Sequence, residues 1–86
     1  MTHQPIPLTR LSPSEGGSVV ELRGGRRFVS RLATLGFTPG ALLAMVQNYG
    51  HGPLIVRVRD TRIALGRGEA ARIIVLRRDS HGRDPS

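Results

Sequence analysis

The sequence predicts a mainly β fold: a small antiparallel β-barrel of about five strands with one short α-helix. Three observations carry this. Eighty-six residues make a single small domain, which buries only about 60–65% of its unfolded surface and needs a compact core. Short segments with two-residue hydrophobic alternation recur between glycine- and proline-rich breaks, the pattern of half-buried strands. Only one segment has helical spacing. Five strands and one helix are too little for a layered α/β sheet and suit a strongly bent sheet closing on itself.

Residues 1–17 contain Pro5, Pro7, Pro13, Gly16 and Gly17 and read as an extended arm. Leu8 and Leu11 tack it to the core around a short turn at Ser12–Glu15. Ser18–Arg23 alternates as a strand, with Val20 and Leu22 assigned to the core face. Beyond Gly24 and Gly25, Phe28, Leu32 and Leu35 fall at i, i+4 and i+7 with Arg27, Arg31 and Thr34 between them, an amphipathic helix of about ten residues. Gly36 then stands where a left-handed C-terminal cap belongs, with Phe37 placed to fold back onto the helix. Pro39 and Gly40 suit the centre of a type II turn, proline fixing φ and glycine accepting a positive one.

After that corner, Ala41–Gln47 alternates Leu43 and Met45 against Leu42, Ala44 and Val46. Asn48–Pro53 is a loop. Leu54–Arg59 and Arg62–Leu65 form a hairpin whose turn is predicted at Asp60–Thr61. Gly66–Ala71 is a corner or a single helical turn, and Arg72–Leu76 is the last strand. The domain spans residues 1–76, and 77–86, which lack apolar side chains, form a disordered polar tail. The expected core is Leu22, Leu32, Leu35, Leu43, Met45, Val56, Val58, Ile63 and Val75.

Composition excludes several functions. The chain has no cysteine, which removes disulfides, thiolate metal sites and cysteine nucleophiles, and fits a reducing cytoplasm. No apolar run approaches a bilayer span, and the first residues lack the order of a secretory signal. The carboxylates Glu15, Glu21, Asp60, Glu69, Asp79 and Asp84 do not converge. Ser30, His51 and Asp60 stand in triad order without a nucleophile elbow. The glycines of Gly24–Arg27 lack the lysine and hydroxyl of a phosphate loop. No enzyme assembles from these residues. His3, His51 and His81 are isolated, so no tightly bound cofactor is expected, and at most a weak, transient transition-metal contact at His51.

The net charge of +7 points outward, to an anionic partner. All thirteen basic residues are arginine; biased codon usage accounts for the choice of arginine over lysine, but not for the charge. With the hairpin turn at Asp60–Thr61, Arg59 faces Arg62, and Arg57, Arg59 and Arg62 share the outer face. Like charges placed together cost stability, which suggests an anionic partner; the alternative is a solvated outer face that fans its charges into water. Tyr49 in its loop and Val29 on the helix are the apolar residues expected beside that surface.

The ordered run "RLATLGFTPGALLAMV" then "GHGPLIVRVRDTRIALGRGEAARIIV" resembles the ferrous iron transport protein A family (FeoA). The matching positions are Arg31, Leu32, Leu35, Gly36, Phe37, Pro39 and Gly40; Gly50, Pro53 and Leu54; Arg62–Leu65; Glu69 and Ala70; Ile73 and Val75. The resemblance spans residues 6–76. It implies an SH3-like barrel and a cytoplasmic, non-enzymatic accessory protein of bacterial ferrous iron uptake. Such a protein acts on the system's membrane GTPase-permease and is held at the inner membrane only through that partner. The motif is structural and transfers no catalytic or metal-ligand residue. The same barrel resembles the C-terminal domain of iron- and manganese-dependent repressors, where a winged helix precedes it, so a metal-responsive regulatory domain is an alternative reading. A basic barrel binding nucleic acid is another. The scarcity of aromatic side chains for base stacking counts against it, and no nucleic acid is expected as a partner.

Overall fold

Six strands in one antiparallel sheet surround a core of aliphatic side chains. The computed structural model describes residues 4–78. In chain order the elements are β1 (Ile6–Pro7), a 3-10 turn (Leu8–Arg10), β2 (Gly16–Leu22), α1 (Arg26–Thr34), β3 (Leu42–Gln47), β4 (Leu54–Val58), β5 (Thr61–Leu65), α2 (Arg67–Ala70) and β6 (Ile73–Arg77). The sheet order is β1-β6-β2-β3-β4-β5, with β1 and β5 at its edges. The five expected strands are present, and the sixth is the two-residue β1, which pairs Ile6 with Val75. The N-terminal segment is more deeply tied than a tacked arm: Leu8 and Leu11 are both fully buried. The Ser12–Glu15 turn forms, closed by the Glu15 N–H to the Ser12 carbonyl at 3.0 Å and by the Ser12 N–H to the Glu15 carboxylate at 2.7 Å.

The helix-to-sheet corner follows the local chemistry of its residues. Gly36 has φ +108. Its N–H donates to Ala33 O at 3.0 Å and the Phe37 N–H to Leu32 O at 2.9 Å, the paired bonds of a Schellman cap. Phe37 is fully buried in the same core cluster as Leu32. Gly40 has φ +92, and the Ala41 N–H closes the Pro39–Gly40 turn onto Thr38 O at 2.8 Å.

Three expectations change. Leu35 is not core: it is the C-cap residue of α1 and 40% exposed, because the chain reverses at Gly36 and sends Phe37 inward instead. On β2 the inward residue is Val19, 2% exposed, rather than Val20. The pairing to β6 shifts between Val19 and Glu21, and that bulge turns Leu22 back toward the core, where it is half-buried. Ile63 is likewise only partly buried against the core, while Leu32, Leu43, Met45, Val56, Val58 and Val75 are buried as expected.

Strand β6 extends to Arg77, which pairs with Gly17 and places its Nε 3.2 Å from the Glu15 carboxylate. The polar tail expected from residue 77 therefore cannot begin before residue 78. The rest of that segment, with His81, and His3 at the other end lie outside the described residues.

Candidate functional site

The predicted basic face is built by the β4–β5 hairpin, but with a different turn. Arg59 and Asp60, with φ +52 and +65, are its central residues, and Arg57 pairs with Arg62 while Val58 pairs with Thr61. Arg59 therefore does not oppose Arg62. The reason is backbone chemistry: a two-residue turn of this hand needs positive φ at both central positions. Aspartate tolerates that conformation, whereas the β-branched Thr61 does not. The turn moves one residue toward the N-terminus and puts Arg59 in it.

Arg57 and Arg62 now stand directly opposite each other and exposed on the outer face, in register with Ala44 of β3. Arg59 extends from the tip across the end of α1, where its Cδ lies 3.3 Å from the position a Cβ on Gly36 would take. A cation at a helix C-terminus is favourable, so Arg59 has a structural duty besides its charge. Leu42, Ala44, Arg57, Arg59, Asp60 and Arg78 line a shallow depression of about 230 Å³. Leu42 is 56% exposed and is the apolar residue beside the arginines. The outward phase of β3 in the sequence held that signal.

Tyr49 and Val29 are exposed, but Tyr49 is not brought to the basic face. Its loop joins β3 to the start of β4, and Arg59 follows the end of β4, so a strand length separates them. That loop is held by Asn48, whose Nδ2 donates to Thr9 O at 3.0 Å and Leu11 O at 2.8 Å. Asn48 Oδ1 accepts from the Gly50 N–H at 3.0 Å and from Arg67 at 3.1 Å. His51 is exposed in the same loop. No group of three or more His, Cys, Asp or Glu side chains that could hold a metal ion exists among the described residues.

A second basic surface lies between the helices. Arg27, Phe28 and Arg31 of α1 and Gly68, Glu69 and Arg72 around α2 line an open groove of about 570 Å³. Glu69 is its organising residue. One carboxylate oxygen accepts from Arg31 at 2.5 Å and the other from the Gly66 N–H at 3.2 Å, which satisfies an orphan donor at the start of α2. The Arg31 hydrogen bond first, then the Gly66 N–H, hold the Glu69 carboxyl below its ordinary value of about 4.5, against a smaller opposing effect of desolvation. Arg72 is positioned differently: its guanidinium carbon lies 5.6 Å from the centre of the Phe28 ring, within cation–π range. Arg27 makes no ion pair among the described residues. The i, i+4 spacing of Arg27 and Arg31 is legible in the sequence, but the approach of Glu69, 38 residues from Arg31, has no local signal.

Comparison with known proteins is consistent along the whole fold. The FeoA domain family matches residues 6–77. The Fe(2+) transport protein A of Methanocaldococcus jannaschii is 32% identical over 69 residues, covering 80% of this chain and 83% of that protein. The crystal structure of an iron uptake regulatory protein (FeoA) superposes with a TM-score of 0.82 at 33% identity, over 87% of this chain and 100% of that one. The FeoA of Stenotrophomonas maltophilia, crystallised with zinc and described as an SH3 domain protein, superposes with a TM-score of 0.71 at 30% identity, over 87% of this chain and 89% of that one. The six-stranded antiparallel sheet is thus the fold of a known group, and the chain belongs to the FeoA family, with its SH3-like architecture.

Proposed function

We propose that this chain is a non-enzymatic, cytoplasmic accessory protein of ferrous iron uptake, and that it docks on the membrane GTPase-permease of that system through its β4–β5 face. Family membership supports the role in iron transport. The observation that carries the docking surface is the direct pairing of Arg57 with Arg62 beside the exposed Leu42. Like charges facing each other across a ladder destabilise the sheet, and an acidic partner surface relieves that repulsion while steering the encounter. Leu42 then supplies the apolar contact that slows dissociation. Among the described residues no helix is long and apolar enough to cross a membrane. Tightly bound metal is not part of this reading.

The test is co-purification with the permease and growth on limiting ferrous iron. Replacing Arg57, Arg59 and Arg62 together by glutamate abolishes both in this reading, and so does the Arg57→Glu/Arg62→Glu pair, which leaves Arg59 over the helix end. Binding should weaken steeply with salt beyond physiological strength. A folded double variant that binds and supports growth like the unmodified protein refutes the assignment of this face.

A further inference from the structure

We infer that the groove between α1 and α2 is a second docking site, which takes an acidic segment of a partner protein carrying an apolar side chain. The arrangement of charge is the first reason. Arg27, Arg31 and Arg72 converge on one groove against a single carboxylate, Glu69, so the groove keeps a positive excess after its internal ion pair is counted. Two of the three guanidinium groups are held in place before any partner arrives, Arg31 by Glu69 and Arg72 by the Phe28 ring. Fixed guanidinium planes lose little freedom on meeting a carboxylate and suit its two-oxygen geometry.

One member of this cluster, Arg27, is also placed against the interest of stability. Arg27 lies in the first turn of α1, which has no acidic residue and no side-chain cap. A cation there opposes the helix dipole, and an acidic residue would be the stabilising choice. The charge of Arg27 is therefore not a device for holding α1 together.

The shape and the remaining atoms select among anions. Glu69 stands in the groove and repels a phosphate cluster more strongly than it repels single carboxylates spaced along a chain. The Phe28 ring is covered by Arg72, so it offers no free face for stacking a base. A second copy of this chain carries the same charge of +7 and is repelled. The ring edge and the aliphatic stems of the arginines leave an apolar wall in a groove open to solvent, which fits one side chain of an extended segment with carboxylates on either side.

The experiment titrates the full chain with a fluorescein-labelled twelve-residue peptide, glutamate-rich with one central leucine, followed by anisotropy at low and physiological salt. Arg27→Ala/Arg72→Ala should weaken binding at least about tenfold, the scale of losing charge-assisted hydrogen bonds. Arg10→Ala/Arg77→Ala removes the same charge outside both the groove and the β4–β5 face and should change it by less than about twofold, the size of a distant screened effect. Circular dichroism verifies that each variant is folded, and Arg27→Gln/Arg72→Gln substitutes for the alanine pair if that pair unfolds. Equal losses from the two pairs would reduce the effect to net charge and overturn the proposal, as would the absence of binding. Tripolyphosphate or a poly-uridine oligonucleotide displacing the peptide from the groove at lower concentration than a carboxylate peptide would also overturn it. Because the permease is not in the assay, failure here leaves the β4–β5 docking face untouched, and its failure leaves this site untouched.

Discussion

Replacing Gly36 by alanine separates two contributions to the helix-to-sheet corner, and Gly40→Ala provides the control. Both glycines have strongly positive φ, +108 and +92, where an L side chain costs about 1–2 kcal/mol. Alanine also removes freedom from the unfolded chain, which returns about 0.4–1 kcal/mol. At Gly40 nothing lies within 4 Å of a new Cβ, so the net loss there is only the difference, about 0–1.6 kcal/mol. At Gly36 a new Cβ meets Arg59 Cδ at 3.3 Å and Val58 Cγ2 at 3.6 Å. Arg59 must shift, and its favourable position at the end of α1, about 0.3–1 kcal/mol, is lost as well. Gly36→Ala should therefore cost about 0.3–2.6 kcal/mol, more than Gly40→Ala by the Arg59 contribution. With a urea m-value of about 1 kcal/mol/M for a chain of this size, the midpoint falls by about 0.3–2.6 M at unchanged slope. In an Arg59→Ala background the crowding is gone, and the Gly36→Ala loss should shrink toward that of Gly40→Ala. If Gly36→Ala costs no more than Gly40→Ala, or the same in both backgrounds, the packing of Arg59 over the cap is not what shapes this corner.

Acid titration tests the groove's internal pair. Because the Glu69 carboxyl is held low by Arg31 and the Gly66 N–H, its contribution is fully present above about pH 4.5 and is lost as pH falls toward its folded value. Glu69→Gln should flatten that part of the stability profile, and an unchanged acid limb would refute the assignment. Asn48→Asp keeps an acceptor for Gly50 and Arg67 but turns a carboxylate oxygen toward the Thr9 and Leu11 carbonyls that Asn48 now donates to. The expected loss is about 1–3 kcal/mol in urea denaturation, with faster proteolysis of the N-terminal segment; a neutral effect would show that these bonds do not hold it. Calorimetric titration with manganese should find no submicromolar site, since His51 belongs to no group of three or more His, Cys, Asp or Glu side chains that could hold a metal ion among the described residues. A tight site that His51→Ala removes would overturn this.

What the sequence by itself determined is the local geometry. The end of α1, the left-handed Gly36, the Pro39–Gly40 turn and the outward phase of β3 each depend on residues within about one hydrogen-bonded ring of one another. The residues concerned carry that information in their own φ preferences and spacing. Tertiary structure decided the pairings. For β4 and β5, the predicted register and the observed one both keep Val56, Val58, Ile63 and Leu65 on the inner face, since moving the turn by one residue re-pairs the strands without turning any side chain over. Hydrophobic pattern is blind to that choice, and the backbone strain of placing Thr61 in the turn settles it. The bulge at Val19–Glu21 is likewise imposed by pairing with β6. Leu35 is left outside because Phe37 occupies the interior. The α1–α2 groove and the Asn48 contacts join residues 38 and 39 positions apart. Such partners become neighbours only after the sheet has bent and paired, so no short stretch of the chain can announce them.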